Sequence, residues 1–299
     1  MNTEKMPEDD LELETWRTEQ VTRHIIASQK KALEAVSACS ASISLAADAI
    51  VGCLQTTSHS RLVYAGAGSS GALLANDASE LLPTYGWPLD RLLVLQAEGR
   101  NFCVNDNSAD EDNRQRAVDL VAVHQLDGQD VVIVASASGA TPYTLQLAES
   151  ACEKGALIVA IVNNADSPLS KWSDHTVFLQ TGAEVIAGST RMAAGAALRA
   201  TLCTLSTTIM IRLGRTYKGM MVDMLVGNDK LRLRAVNMVR KITGKTIVDA
   251  EQALQESGLN IKLAVLLLQN KVESIEQAQR LLVDNQGSLN KALSVVQTL

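Results

Sequence analysis

The segment Leu62-Val63-Tyr64-Ala65-Gly66-Ala67-Gly68-Ser69-Ser70-Gly71 constrains this chain more than any other stretch. An uninterrupted apolar run, the mark of a strand covered on both faces, ends in alternating glycines and two serines. A helical pattern opens at once, over Ala72 to Leu82. Strand, tight turn and helix in that order are the first half of a parallel crossover unit. Glycines at such a turn let the backbone approach a ligand, and the helix start offers unpaired N–H groups and a partial positive charge. Gly68, Ser69 and Ser70 are therefore candidate phosphate-binding residues. A second run, Asp130 to Ala135, leads into Ser136-Ala137-Ser138-Gly139-Ala140-Thr141-Pro142 and another helical pattern. Ser136, Ser138, Gly139 and Thr141 repeat the chemistry of the first loop. Two such loops at the carboxyl ends of parallel strands point to one crevice that holds a phosphorylated small molecule.

The rest of the chain agrees with this frame. Strands are predicted at Leu62–Gly66, Leu92–Gln96, Val131–Ser136, Leu157–Asn163 and Thr176–Leu179, with helices between them at Ala72–Leu82, Ala109–His124, Pro142–Lys154 and Ser167–Trp172. The fold class is α/β: a three-layer α/β/α sandwich around a five-stranded parallel sheet. Residues 1–12 read as a polar, partly disordered arm, and Leu13 to Leu54 as helical, with a smooth small-residue surface over Ala35 to Ala49 that suits close packing against another helix or subunit. Long helices are expected over residues 188–213 and from Val222 to Lys241. After Gly244 no strand pattern remains, only short amphipathic helices near 246–256, 259–269, 273–283 and 287–297. The expected organisation is therefore an N-terminal arm and helices (1–54), a ligand-binding α/β domain (55–244) and a small all-helical subdomain (245–299), whose length resembles a ubiquitin-associated-like bundle.

Charge and cysteine usage exclude several function classes. With 46% hydrophobic residues over 299 positions, the chain can bury a full core. A net charge of −6 without any basic block argues against nucleic acid as a partner. An acidic N-terminus (Glu4, Glu8, Asp9, Asp10, Glu12, Glu14) does not suit a signal or transit peptide, and no apolar run reads as long enough to span a bilayer. The five cysteines (Cys39, Cys53, Cys103, Cys152, Cys203) lack any CxxC spacing, which points to reduced thiols in a cytoplasmic protein. The four histidines are isolated from one another, so no metal site is expected. Gln180 to Ala187 reads as a loop over the crevice, with Ser189 and Arg191 beside the ligand and Glu184 as polar support.

An ordered series of motifs resembles one family. It comprises Gly66-Ala67-Gly68-Ser69-Ser70-Gly71, Asp77-Ala78-Ser79-Glu80 with Pro83-Thr84-Tyr85-Gly86, Ser138-Gly139-Ala140-Thr141-Pro142-Tyr143, Gly182-Ala183-Glu184-Val185, Gly188-Ser189-Thr190-Arg191-Met192 and Met221-Val222-Asp223. On these residues the chain resembles the N-acetylmuramic acid 6-phosphate etherases, sugar isomerase (SIS) fold enzymes with a flavodoxin-like sheet, related to the glucokinase regulatory protein. The resemblance implies a homodimer, no cofactor, a phosphorylated amino sugar as ligand, and cleavage of its D-lactyl ether by elimination and hydration. It also implies two carboxyl groups with different proton affinities. By position the first is Glu80 and the second is Asp110, or Glu111 next to it.

Family members usually carry a basic residue where this chain has Ala72, Ala140 and Ala193, an acidic stretch where it has Ala27-Ser28-Gln29-Lys30, and two prolines where it has Leu82-Pro83. Fewer cations weaken phosphate binding, which keeps open a phosphosugar-binding regulatory protein or a sugar-phosphate isomerase on the same fold. One geometric consequence follows. A helix running unbroken from Ser70 would carry the backbone of Glu80 roughly 15 Å along its axis, so either the helix breaks before Pro83 or Glu80 serves the partner subunit's site.

Overall fold

The computed structural model describes residues 12–99, 108–269 and 272–298, together with Thr3 and Lys5. Most of the 1–12 arm and Cys103 lie outside the described residues. The chain divides into two compact units, Met1–Ser79 with Leu89–Thr207 and Glu80–Pro88 with Thr208–Leu299. The composition change after Gly244 had suggested a later boundary. The division falls earlier because the helix before Gly244 packs with the two helices after it.

The first unit holds the sheet. Strands β1 (Leu62–Gly66), β2 (Leu92–Gln96), β3 (Val131–Ser136), β4 (Leu157–Val162) and β5 (His175–Phe178) form one parallel sheet in the order β2-β1-β3-β4-β5. Every residue of β1 and β3 is buried, as continuous apolar runs require of central strands. Alternate residues serve opposite faces. Val63, Ala65, Val132, Val134, Ile158 and Ala160 share one core with Tyr143, Leu147, Ala148 and Ala151 of α5 (Pro142–Glu153) and with Ala117 and Val121 of α4 (Arg114–Val123). On the other face, α2 (Ser40–Thr56) packs against β3, β4 and β5. Its buried residues Ile43, Ala46, Ala47, Ile50, Val51 and Leu54 recur at helical spacing.

Two polar devices hold the middle of this sheet. Arg61, just before β1, grips Asp130, just before β3, through two bonds of 2.7 Å, the fork-to-carboxylate geometry that makes such pairs strong. The clamp keeps β1 and β3 in register, Gly66 opposite Ala135, so that the loops leaving both strands emerge side by side. The fully buried Tyr64 of β1 donates to Asp77 at 3.0 Å, and Ser206 bonds the other Asp77 oxygen at 3.3 Å. These bonds tie α3 (Gly68–Tyr85) and α6 (Ala193–Arg212) to the strand beneath. α6 corrects one sequence reading: it is long and apolar enough to cross a membrane by length and composition, but 56% of it is buried inside the protein as a core helix.

Helix starts account for the other shifts from the sequence reading. α4 begins at Arg114, after a 3-10 turn at Ser108–Asp112, because the Asn113 side chain caps it by accepting the Arg116 N–H. α6 opens at Ala193, after irregular backbone at 188–192. The expected Val222–Lys241 helix, α7 (Asp229–Thr243), starts where Asn228 accepts the Leu231 N–H and stops at the left-handed Gly244.

The second unit is helical. α7 packs with α8 (Ile247–Glu256) and α9 (Ile261–Leu267), followed by α10 (Ile275–Asp284) and α11 (Leu289–Thr298). Thr246, Asn260 and Ser274 cap α8, α9 and α10. A core of Met224, Val236, Val239, Leu254, Ile261, Val265 and Leu293 closes it. Inside, the Lys262 ammonium meets Asp223 at 2.5 Å and the Gly287 carbonyl at 2.6 Å, while Arg215 lies over the buried Trp87 ring.

Candidate functional site

In the order β2-β1-β3-β4-β5 the chain leaves β1 toward one edge of the sheet and β3 toward the other. The crevice between their carboxyl ends is where open α/β sheets bind ligands. A cavity of about 240 Å³ lies there. Gly68, Ser69 and Ser70 line it from the start of α3, and Ser136, Ser138 and Thr141 from the β3–α5 loop.

The β3–α5 loop is shaped by its own hydroxyls. Ser136 Oγ accepts the Gly139 N–H at 3.1 Å and lies 3.2 Å from Ser138 Oγ and 3.0 Å from Thr141 Oγ1. Ser138 Oγ in turn accepts the Ala140 N–H. Such hydroxyls rotate to donate outward when an anion arrives. Gly139 takes φ +66°, and a side chain there would collide with Ser167 Cβ, so only glycine fits the turn. Gly139 supplies this shape and is not among the residues lining the cavity.

At the other loop, Gly68 has φ +55°. Its N–H is already engaged, donating at 2.5 Å to Glu98 Oε1. The N–H groups of Ser69 and Ser70 belong to the first helical turn, which lacks intrahelical acceptors.

Glu111 brings the acidic group. It lines the cavity, and a Cβ on Gly68 would stand 2.5 Å from its Oε1. Burial first, then the charges of Glu98 and Asp112, push its carboxyl above the usual carboxylate range. Asp110 sits in the same 3-10 turn but does not line the cavity. Adjacent side chains in a 3-10 turn diverge by about 120°, so one of the two faces the crevice, and that one is Glu111. Glu80 is exposed and belongs to the second unit.

The loop after β5 closes the cavity with Gly188 and Thr190. Glu184 anchors it: the buried carboxylate accepts the Ala193 and Ala194 N–H groups at 2.8 and 2.9 Å, seating a negative charge on the start of α6. Polar support is the role the sequence suggested for Glu184. Ser189 and Arg191 do not line the cavity, and Arg191 is exposed. No lysine or arginine among the described residues lines the cavity; Ala72, Ala140 and Ala193 supply none. Among the described residues no group of three or more His, Cys, Asp or Glu side chains is arranged to hold a metal ion.

The residue that sequence reasoning missed is Glu98. It stands just past β2, carried there by the β1–β2 ladder, which the Ala97 N–H extends by donating to the Gly66 carbonyl. The available signal was positional: Gln96-Ala97-Glu98-Gly99 ends the strand next to β1, as the two serine loops end β1 and β3.

Comparison with known proteins gives a consistent picture. Residues 121–204 match the SIS domain family. An N-acetylmuramic acid 6-phosphate etherase from Deinococcus radiodurans is 39% identical over 280 residues, 93% of this chain and 91% of that protein. One from Symbiobacterium thermophilum is 40% identical, covering 89% of this chain and 88% of that protein. One from Actinobacillus succinogenes is 35% identical over 98% of this chain and 96% of its own length.

Proposed function

The chain belongs to the N-acetylmuramic acid 6-phosphate etherase family, and from that premise we propose that it cleaves the D-lactyl ether of N-acetylmuramic acid 6-phosphate, a carbon–oxygen lyase reaction giving N-acetylglucosamine 6-phosphate and D-lactate. One observation carries this reading: a carboxyl group with raised proton affinity, Glu111, shares a cavity with two hydroxyl-rich loops, one of them opening a helix. The loops hold the phosphate through Ser69, Ser70, Ser136, Ser138 and Thr141, with Ser189 and Arg191 in supporting positions as the covering loop closes. A base takes the proton next to the open-chain aldehyde, an acid protonates the departing ether oxygen, and water then adds to the unsaturated aldehyde. The sum consumes one water and leaves the enzyme unchanged. Glu111 is the proton-transfer group that this cavity supplies.

Glu80 supplies the second carboxyl, to the site of a second copy. α3 runs without a break from Gly68 to Tyr85, so the backbone of Glu80 lies roughly 15 Å along the helix from Ser70, longer than a hexose phosphate spans. A homodimer has a surface to use. Ala32 is the one buried residue in the 21-residue α1 (Thr18–Ala38), while Ile26 and Leu33 are 49% and 54% exposed. The four described cysteines are free thiols, which supports a cytoplasmic enzyme.

The test is lactate release from N-acetylmuramic acid 6-phosphate, with wild type beside Glu80→Ala and Glu111→Gln. Lactate from wild type and little from either variant is the expected result; none from wild type overturns the reading. Thermal stabilisation by sugar phosphates without lactate favours the regulatory alternative. Mixing the two variants distinguishes a shared site. Each heterodimer then holds one intact site, so refolded mixtures recover about a quarter of wild-type activity, whereas sites complete within one subunit recover none.

A further inference from the structure

Glu98 has an unusual environment for a carboxylate. One oxygen takes the Gly68 N–H at the start of α3; the other, Oε2, is buried without a hydrogen-bond partner among the described residues. An unsatisfied buried oxygen costs stability, and its presence calls for an explanation. Across Gly68 stands Glu111, whose Oε1 would lie 2.5 Å from a Cβ on that glycine. Two carboxylates therefore converge on one residue, and they come this close because Gly68 has no side chain.

The described surroundings offer Glu111 little else. Asp112, on its own turn, is the other charge acting on it, and the α3, β3–α5 and 188–190 sides of the cavity present glycines, alanines and hydroxyls. Glu98 and Arg116 of α4 both act on Tyr143 of α5. The Tyr143 hydroxyl and Arg116 Nε are also buried without a hydrogen-bond partner among the described residues. The phenol is pushed up chiefly by burial, with Arg116 lowering it and Glu98 raising it further.

We propose that Glu98 is a positioning residue of this site, anchored on the Gly68 N–H so that its carboxylate governs proton transfer by Glu111 across the same glycine. The inference rests on the reading of Glu111 as a proton-transfer group. A like charge beside a carboxyl favours its protonated form, and Glu98 supplies such a charge to Glu111 from outside the Glu111 turn. Glu98 also occupies the anion seat on Gly68, which leaves the phosphate to the Ser69 and Ser70 N–H groups and the β3–α5 hydroxyls.

The test is the Glu98→Gln variant, whose amide oxygen still accepts from Gly68 but carries no charge. The Glu111 carboxyl is followed by carbon-13 NMR in glutamate-labelled full-length protein, assigned by the signal lost in Glu111→Gln. In Glu98→Gln its titration midpoint falls by about 1 unit, and the limb of the lactate-release pH profile governed by Glu111 moves down equally, whether Glu111 acts as acid or base. Glu98→Asp keeps the charge and restores the higher midpoint. A midpoint unchanged in Glu98→Gln, in protein that melts as wild type does, overturns the proposal. If wild type releases no lactate the etherase reading falls, while the NMR midpoint still decides the part played by Glu98.

Discussion

Each unit withdraws a carboxylate from water, and the two are treated in opposite ways. Asp223 in the helical unit faces the Lys262 ammonium and Arg215 at 3.6 Å. Burial pushes the Asp223 carboxyl up and the Lys262 ammonium down, and each charge offsets part of the other's shift. Among the described residues, Glu98 in the sheet unit accepts one N–H, has a second oxygen without a partner, and stands near another acid. A buried charge surrounded by countercharge is finished chemically and serves the fold. A half-buried charge set beside its own kind adds to the effect of burial in raising a neighbouring carboxyl's proton affinity, which suits that carboxyl to proton transfer.

The sharpest way to break this contrast is Glu111→Gln. Removing the proton-transfer group lowers lactate release about a thousandfold or more, with folding intact by circular dichroism. A smaller loss would move the chemistry elsewhere in the cavity. In the helical unit the corresponding change, Lys262→Met, leaves the half-buried Asp223 with Arg215 at 3.6 Å as its remaining countercharge. It costs about 1–3 kcal/mol in urea unfolding, and adding Asp223→Leu recovers most of it. Turnover per folded molecule stays at the wild-type value, because the pair serves stability alone.

Gly139→Ala comes next. Its left-handed φ and the collision with Ser167 cost about 1–3 kcal/mol, and the disturbed hydroxyl loop raises KM for the sugar phosphate more than it lowers kcat. The smallest effect is a pH dependence of stability. Glu111 has a raised folded-state pKa, so its contribution to stability is complete below the ordinary carboxylate value and is lost as pH rises through the folded value. Glu111→Gln therefore melts above wild type at neutral pH, and the gap closes as pH falls into the usual carboxylate range. A gap that widens on acidification would contradict the like-charge arrangement.

Much of this was legible before any coordinates. The strands β1 and β3 lie on their continuous Val, Ile and Leu runs, because a strand covered on both faces has no polar position to blur it. Both serine loops could be found because glycine and hydroxyl residues at a strand exit have few other uses. Helix starts were read less well. The sequence suggested a helix from Ala109, but the Asn113 side chain bonds the Arg116 N–H and delays α4, a choice made by local hydrogen bonding rather than by periodicity. The same delay leaves Asp110 and Glu111 on a tighter turn, and that turn selects Glu111.

By itself the sequence determined the layered α/β architecture, the two phosphate-type loops and the family, since these follow from runs and spacings along the chain. It left open which acid faces the crevice and gave no weight to Glu98. Those were decided by the pairing of β2 with β1, which sets Glu98 beside Gly68, and by the turn before α4, which brings Glu111 to the same glycine. Proton affinity depends on charges within a few ångströms, and only the folded chain decides which charges those are.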